Sequence, residues 1–429
     1  MDVQSCNANC DSPPPMSIKT VLNRCHPIRS FVYGAACFVG QQVHVEVSPR
    51  KGSRAICSGC DLPGPTYDTV RTPRLFEFVP LWGFLVFLCY AMRRVDCRTC
   101  GVTVERVPWA EGKHQTCNAY RLFLARWARR MSWSEVARIF GTNWGVVYRA
   151  IDWVVLYGLA HRCLDGITAI GFDEIAVWKG HKYLTVVYQI DAGARRLLWV
   201  GKDRTQATAR GFFLMFGEGR AQALQFVVSD MWKPYLNVIK EKAGHALHIL
   251  DRFHVVMKLN KAIDEVRAKE ARQMARSGFA PVLKHTRWCF LKRKENLTVK
   301  QERTLTDVLR YDLRSVRAYL LKEAFDAFWT YQTPQWAEWF LDKWCTRAMR
   351  SRLEPIKKFA KTLRAHKPLL LNWFRARSEI AMGAVEGMNT NAKLAIRKAR
   401  GFRTYKVLET ALYHELGRLP EPEVTHKFC

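Results

Sequence analysis

The chain has 429 residues, of which 48% are hydrophobic, and its 68 lysines and arginines exceed its 38 acidic residues to give a formal net charge of +30. This length exceeds one ordinary hydrophobic core, so we expect about two to four domains in a globular protein. So large a basic excess in a folded chain predicts a polyanionic partner, whereas the length and the aromatic content argue against a ribosomal protein.

Neither a secretory signal nor a membrane span is predicted. The N-terminal residues carry acids and a proline run from Pro13 to Pro15, with no apolar core. The longest apolar run, residues 80–92, has 13 residues, too few to span a bilayer as a helix, and is better interpreted as a buried pair of strands. The 14 cysteines of this basic chain indicate thiols and metal sites rather than disulfides.

Two CxxC pairs predict a zinc site. Cys57 and Cys60 lie in CSGC, Cys97 and Cys100 lie in CRTC, and 36 residues separate the pairs. Each pair can present two thiolates to one Zn²⁺, and two pairs complete a tetrahedron. The separation is longer than usual for a zinc ribbon, so the hairpins between the pairs must be long. Reduced thiols without metal remain one alternative, and another zinc-ligand set is also plausibly spaced: Cys97, Cys100, His114 and Cys117.

Helical periodicity begins near residue 118. NAYRLFLARWARR predicts an amphipathic helix, Ser132 and Glu135 predict the capped start of a second helix, and a turn at residues 141–143 precedes a third. Two helices joined by a short turn with glycine are typical of the helix-turn-helix motif, although ordinary helical hairpins share this pattern. As a DNA-binding motif, it would insert the leading residues of the third helix into a major groove. These residues are Asn143, Trp144, Val147, Tyr148 and Arg149.

The period becomes two from residue 166. We predict three antiparallel strands, then a helix, a strand ending at Asp230, a helix and a strand ending at Asp251, which is the ribonuclease-H-like order. Residues 251–385 are mostly helical and carry 29 lysines and arginines against 14 acidic residues. Tryptophans among these cations suit nucleic-acid contacts but are more often part of a core. The three strands are predicted near residues 168–177, 182–190 and 195–201.

Three acids stand at informative places. Asp173 interrupts the apolar strand GITAIGFDEIAVW, where a carboxylate is costly to bury without a partner. Asp230 ends a neighbouring strand, and Glu386 opens a late helix. Together they would form a set of oxygen ligands suited to Mg²⁺ or Mn²⁺, and two such ions promote phosphoryl transfer. Glu174 points to the other face of its strand and is predicted to be structural, or paired with a base such as Lys182.

Other residues near these acids have weaker assignments. Asp251 is the alternative second ligand because it also ends a strand, although a strand-end aspartate commonly caps a helix. His254 could carry a proton, but a structural histidine is more common. Lys393, two helical turns after Glu386, is predicted to hold a phosphate beside the metals. Two further cations, Arg397 and Arg400, continue this DNA-binding set.

The segments with these residues resemble a known family. GFDEIAVWKGHKYLTVV, VVSDMWKPYLNVI, ILDRFHVVMKLNKAIDEVR and AVEGMNTNAKLAIRKARGFRTY look like the bacterial insertion-sequence transposases of the ISL3 family, which are DDE-type enzymes. The resemblance covers roughly residues 55–415, because a zinc ribbon and a helix-turn-helix precede these segments in the same order. It implies a catalytic triad of Asp173, Asp230 and Glu386, with Zn²⁺ in the ribbon and Mg²⁺ or Mn²⁺ at the triad.

The resemblance also implies what the protein does and where. We expect cutting at transposon ends, transfer of 3′-hydroxyl ends to target DNA, double-stranded DNA as partner, and a homodimer or larger assembly. The expected location is the bacterial cytoplasm, in association with the nucleoid and not with a membrane. Two alternatives remain open, namely a catalytically inactive DNA-binding regulator with the same ribbon and helix-turn-helix, and a structure-selective nuclease, such as a junction resolvase, on the same fold.

The predicted fold class is therefore multidomain α/β, with a ribonuclease-H-like catalytic core that an all-helical insertion interrupts. The expected domains are an N-terminal extension of uncertain order (1–50), a zinc ribbon (51–112), a helix-turn-helix domain (113–162), the first part of the core (163–255), the basic helical insertion (256–378), the last part of the core (379–419) and a tail (420–429).

Overall fold

A computed structural model describes residues 17–178, 182–279, 282–376, 383–399 and 401–424. Arg400, one of the predicted DNA contacts, lies outside the described residues. The chain is a multidomain α/β protein with two compact units. Unit 1 comprises residues 1–162, 397–415 and 419–429, and unit 2 comprises residues 163–396 and 416–418.

Unit 1 begins with a sheet-rich part and continues into helices. Its elements to residue 162 are α1 (Ile18–Cys25), β1 (Phe31–Val39), β2 (Gln42–Pro49), β3 (Ala55–Ile56), β4 (Pro63–Gly64), β5 (Thr66–Thr69), β6 (Arg74–Leu81), β7 (Phe84–Tyr90), β8 (Arg93–Cys97), β9 (Gly101–Val104), α2 (Asn118–Ala128), α3 (Trp133–Ile139) and α4 (Trp144–His161). Strands β1, β2, β7 and β6 form one sheet in that order, β5, β8 and β9 form a second, and β3 pairs with β4.

The four-stranded sheet explains the long separation of the two CxxC pairs. Strands β6 and β7 lie between the pairs in sequence and form the predicted buried hairpin, and β7 pairs in parallel with β2. Strands β1 and β2 fall in the stretch expected to be an extension of uncertain order. In β2, Val43, Val45 and Val47 are buried while the residues between them are not, so QVHVEV has the period of two that is typical of a strand.

Side-chain caps begin α3 and α4 of unit 1, and the sequence predicted the cap of α3. Ser132 and Glu135 form a reciprocal capping box at the start of α3. The Asn143 side chain accepts a hydrogen bond of 3.1 Å from the Val146 N–H and so caps α4. Val147 is fully buried on the inner face of α4 and packs in the core. The prediction that Val147 contacts DNA is therefore wrong, because its side chain faces the partner helices.

Unit 2 contains a five-stranded mixed sheet. Its first elements are β10 (Ala169–Trp178), β11 (Lys182–Asp191), β12 (Ala194–Lys202), α5 (Gln206–Phe216), α6 (Glu218–Gln222), β13 (Phe226–Ser229), α7 (Lys233–Ala243) and β14 (Leu247–Leu250). The strand order is β12-β11-β10-β13-β14, and β10, β13 and β14 run parallel. The carboxyl ends of these parallel strands therefore lie at one edge of the sheet. Residues that follow β13 and β14 meet the second half of β10 at this edge.

The described elements that follow β14 are all helical. They are α8 (Arg252–Arg276), α9 (Arg287–Leu291), α10 (Val299–Val308), α11 (Arg314–Asp326), α12 (Pro334–Arg350), α13 (Glu354–Ala365), α14 (Lys367–Arg375), α15 (Ala384–Lys398) and α16 (Tyr405–Leu416), with short 3₁₀ turns at Lys294–Asn296 and Ala327–Thr330. Trp329 and Trp344 are buried as expected, whereas Trp336 and Trp339 are exposed. No helix among the described residues is long and apolar enough to cross a membrane.

Candidate active site and zinc site

Four cysteines of unit 1 converge on one point. The Sγ atoms of Cys57, Cys60, Cys97 and Cys100 all lie within 4.8 Å of one another. Tetrahedral zinc with Zn–S bonds of about 2.3 Å requires Sγ atoms about 3.8 Å apart, so the four thiols fit Zn²⁺. Gly59 makes the first turn possible, because a Cβ at that position would lie only 3.0 Å from the Cys100 Sγ.

Hydrogen bonds favour the metal-binding form of one thiol. The Thr103 hydroxyl lies 3.2 Å from the Cys57 Sγ, and the Gly59 N–H donates to the same sulfur over 3.3 Å. These contacts lower the pKa of Cys57 to about 6, and the thiolate is the form that binds zinc. The alternative ligand set does not form, because Cys117 is fully buried in the apolar core of the four-stranded sheet, apart from the cluster around Cys97.

The edge of the sheet in unit 2 carries a cluster of acidic and imidazole groups. Asp173 of β10, Asp251 after β14 and His254 in the first turn of α8 have ligand atoms within 4.8 Å of one another. The His254 Nε2 lies 3.4 Å from the Asp173 Oδ1 and 3.9 Å from the Asp251 Oδ2. Burial alone would lower the pKa of His254, but Asp173 and the other acids raise it above the usual value. We call these three residues the acidic cluster.

Asp251 has a second role as a helix cap. Its Oδ1 accepts a hydrogen bond of 2.9 Å from the Phe253 N–H, and this fixes the start of α8. Burial raises the pKa of Asp251 to about 6, and the charges of Asp173 and Glu386 contribute to the increase. A bound cation would remove this penalty, because it stabilises the ionised carboxylate.

Asp230 lies close to the acidic cluster but has other partners. Its Oδ1 accepts a hydrogen bond of 2.9 Å from the Trp232 N–H, and its Oδ2 lies 3.3 Å from the Arg204 Nη2. Burial raises the pKa of Asp230, and the charge of Asp173 adds to this effect. Arg204 also forms an ion pair with Glu174. Burial raises the pKa of Glu174 to about 7. Glu174 therefore faces Arg204, as its structural assignment requires.

Glu386 lies in the first turn of α15 and is exposed. It is not among the groups whose ligand atoms meet within 4.8 Å in the described part of the chain, and neither is Asp230. The structure thus brings Asp173 together with Asp251 and His254 most closely, while Asp230 and Glu386 lie at the margin of the same cluster. Both charges act on the cluster, because Glu386 raises the pKa of Asp251 and Asp230 raises the pKa of His254.

A buried hydrogen-bond chain connects α15 to the sheet, and sequence analysis did not assign it. The Tyr188 hydroxyl of β11 donates to the Asn389 Oδ1 over 2.8 Å, and the Asn389 amide donates to the Asp173 Oδ2. Asn389 lies one helical turn after Glu386. These hydrogen bonds therefore hold the helix that carries Glu386 against β10. The signal in the sequence was the position of Asn389, three residues from Glu386 on one helical face.

The remaining predicted DNA contacts are mostly at the surface. Trp144 is 44% exposed, and its ring stacks on that of Tyr148 with centroids 5.5 Å apart. The other exposed residues of the set are Asn143, Arg149, Lys393 and Arg397. Asn143 serves as the cap of α4, and Tyr148 supports the Trp144 ring. Exposed aromatic and basic groups at the start of α4 are suited to contact DNA.

Comparison with known proteins gives consistent matches. The profile of the ISL3-type DDE family, described as a transposase, matches residues 170–412. The chain is 29% identical over 335 residues to the transposase for insertion sequence element IS1001 of Bordetella parapertussis, which covers 77% of this chain and 82% of that protein. It is 28% identical over 405 residues to the transposase for IS1557 of Mycobacterium tuberculosis, with coverage of 86% and 87%. The matched region includes the acidic cluster, Asp230, Glu386 and Asn389.

Proposed function

This chain belongs to the ISL3 family of DDE transposases, and from that premise we propose that it cuts DNA at the terminal inverted repeats of its own insertion sequence. In the cutting step a water oxygen bonds to phosphorus and the 3′-oxygen leaves, which exposes a 3′-hydroxyl. That hydroxyl then attacks a phosphodiester of target DNA and displaces its 3′-oxygen. The observation that carries the proposal is the convergence of acidic side chains on one edge of the unit 2 sheet.

The sheet supports a ribonuclease-H-like core. Three antiparallel strands are followed by two parallel strands, in the order β12-β11-β10-β13-β14, and helices connect the parallel strands. In such a core the carboxylates come from a central strand, its parallel neighbour and a late helix. We assign Asp173, Asp230 and Glu386 to those three positions. We propose that residues 256–378, from α8 to α14, form the helical insertion that separates Asp230 from Glu386.

The donor set suits a hard divalent cation. Asp173, Asp230 and Glu386 would hold Mg²⁺ or Mn²⁺ through carboxylate oxygens, which these ions prefer. When bound, the ions stabilise charge on the attacking and leaving oxygens of the displacement. Asp230 must turn its Oδ2 away from Arg204 to join Asp173, and Asn389 holds the Asp173 carboxylate in place. Lys393, exposed two turns after Glu386, binds a phosphate of the DNA.

Substitution of the two candidate second ligands distinguishes their roles. Asp230→Asn is expected to reduce end cleavage by roughly a thousandfold, because it removes a carboxylate that stabilises the transition state. Asp251→Asn is expected to reduce it by at most about tenfold, since asparagine also caps helices well and keeps the bond from the Phe253 N–H. Cleavage of labelled end DNA in Mg²⁺ measures both. The reverse pattern would assign the second ligand to Asp251.

Unit 1 is proposed to recognise the ends. The zinc ribbon and the helix-turn-helix bind the inverted repeats, with the exposed start of α4 in a major groove. Arg149→Ala is expected to weaken binding to repeat DNA by about tenfold, with a smaller effect on scrambled DNA, because a base contact contributes about 1–3 kcal/mol. Fluorescence anisotropy at fixed salt measures both affinities. Arg24→Ala, an exposed cation of α1 outside these helices, is the matched control and should leave repeat preference unchanged.

A cleavage assay tests the whole proposal against its alternatives. Purified protein is incubated with DNA fragments that carry the repeats flanking its gene, or a scrambled sequence, in Mg²⁺ or Ca²⁺. We expect cleavage at the repeat ends in Mg²⁺ alone, and joining of the new 3′ ends to added plasmid DNA. Binding without cleavage would favour the inactive regulator, and cutting of branched DNA without preference for repeats would favour the structure-selective nuclease.

A further inference from the structure

Helix α8 begins in the acidic cluster and continues beyond it as the floor of a groove. Asp251 caps the helix and His254 lies in its first turn, so the exposed face that follows leads away from the proposed cutting centre. Residues of α8 and α9, with Pro355 of α13, line a cavity of 940 Å³. From Phe253 to Arg272, α8 extends roughly 28 Å at 1.5 Å per residue.

The groove presents large apolar side chains to solvent beside the acidic cluster. Phe253 is 47% exposed, Met257 is 46% exposed, and Trp288 of α9 is 54% exposed. Phe253 and Met257 are one turn apart and therefore share a face of α8. The Arg287 guanidinium lies 5.2 Å from the centre of the Trp288 ring. Flat apolar groups next to cations are the surface on which unpaired bases stack.

Polar groups of the groove suit the rest of a nucleic-acid strand. Asp264 is already paired with Arg267 and Arg287, at 2.7 Å and 3.0 Å. Asn260 is among the residues that line the groove, and its buried Oδ1 has no hydrogen-bond partner among the described residues. The groove has a basic excess, because two acids, Asp264 and Glu265, stand against Lys261, Lys269, Arg272, Arg287 and Lys292.

We propose that this groove binds a short unpaired segment of the DNA strand next to the phosphate that is cut. Its bases contact Phe253, Met257 and Trp288, and its phosphates contact the basic residues farther along α8. The segment must be unpaired, because the faces of paired bases are stacked inside a duplex and cannot reach these side chains. This inference rests on the proposed function and adds the form in which the DNA end enters the site.

Binding to paired and forked ends tests the inference. Full-length Asp173→Asn protein in Mg²⁺ is titrated with repeat-end DNA that is either fully paired or unpaired over the nucleotides at the cut, with 2-aminopurine in the unpaired strand. We expect forked DNA to bind at least about fivefold more tightly, since stacking contributes about 1–3 kcal/mol per base. The 2-aminopurine fluorescence should fall on binding. Trp288→Ala should remove most of the preference and leave affinity for paired DNA unchanged.

A matched variant separates this effect from general damage. Trp339 of α12 is 48% exposed and has the Lys343 Nζ 3.8 Å from its ring centre, yet it lies outside the groove. Trp339→Ala should keep the full preference for forked DNA. Equal affinity for paired and forked DNA, or an unchanged preference for forked DNA in Trp288→Ala, would overturn the inference. The proposed function would still stand if the protein bound repeat DNA more tightly than scrambled DNA. If the Asp173→Asn protein with no further substitution bound paired repeat DNA no better than paired scrambled DNA, the proposed function would be overturned instead.

Discussion

Asp173→Asn is expected to reduce strand cleavage at the transposon ends by about a thousandfold or more, while binding to the same ends stays within about twofold. The substitution replaces a carboxylate by a neutral amide of the same shape, so the transition state loses several kcal/mol of charge stabilisation. Each 1.4 kcal/mol corresponds to about tenfold in rate. Labelled end fragments measure cleavage in single-turnover reactions, and anisotropy with the same fragments measures binding.

The adjacent acid is the matched control. Glu174 follows Asp173 in β10 and pairs with Arg204, which also contacts Asp230. Glu174→Gln keeps the shape and weakens the ion pair with Arg204, which still contacts Asp230, so cleavage should fall by no more than about tenfold. A normal cleavage rate in Asp173→Asn, or an equal loss in both variants, would show that Asp173 has no special part in the chemistry.

Loss of the zinc site is expected to have the second largest effect. The Cys60→Ala protein should contain no zinc, and the segments around the cysteines, residues 55–69 and 93–104, should lose their fold, since structural zinc contributes about 10–16 kcal/mol to the folding of small zinc domains. The strands that flank the cysteines, β3, β4, β8 and β9, are short, and the apolar cluster between them contains few residues. They therefore have little stabilisation besides the metal. End DNA should then bind no better than scrambled DNA. Metal analysis, hydrogen exchange of this segment and anisotropy measure the three effects.

Cys117→Ala is the control for the zinc prediction. Cys117 belongs to the alternative ligand set but lies in the core of the four-stranded sheet. Its substitution should leave one zinc per chain and should preserve the preference for repeat DNA, although the small cavity lowers stability by about 1 kcal/mol. If Cys117→Ala lost zinc and Cys60→Ala retained it, the assignment of the four ligands would be incorrect.

Local signals in the sequence predicted most elements near the two sites. The helix predicted between the strands that end at Asp230 and Asp251 is α7, which has a proline in its first turn. The alternation in β10 to β12 and the cap at Ser132 were equally informative, because these signals depend on neighbours in the chain. Strand β2 was overlooked because a short alternating run such as QVHVEV is ambiguous in the sequence alone.

The side-chain partners of the acids were less predictable. The sequence placed Asp173, Asp230 and Asp251 at strand positions that share one sheet edge, and the described structure agrees. It did not indicate that Arg204 would hold Asp230 or that Asn389 would hold Asp173, since both contacts join distant segments. Val147 was assigned to the DNA-facing surface from its position near the start of a helix, but its face of α4 is determined by packing against neighbouring helices.

The most direct test of the proposed active site is the position of Mn²⁺ in crystals of the protein bound to its end DNA, located by anomalous scattering. We predict two peaks about 4 Å apart at Asp173, with carboxylate oxygens of Asp230 and Glu386 among the ligands. Peaks ligated only by Asp173, Asp251 and His254, or no peak at Asp173, would contradict this assignment.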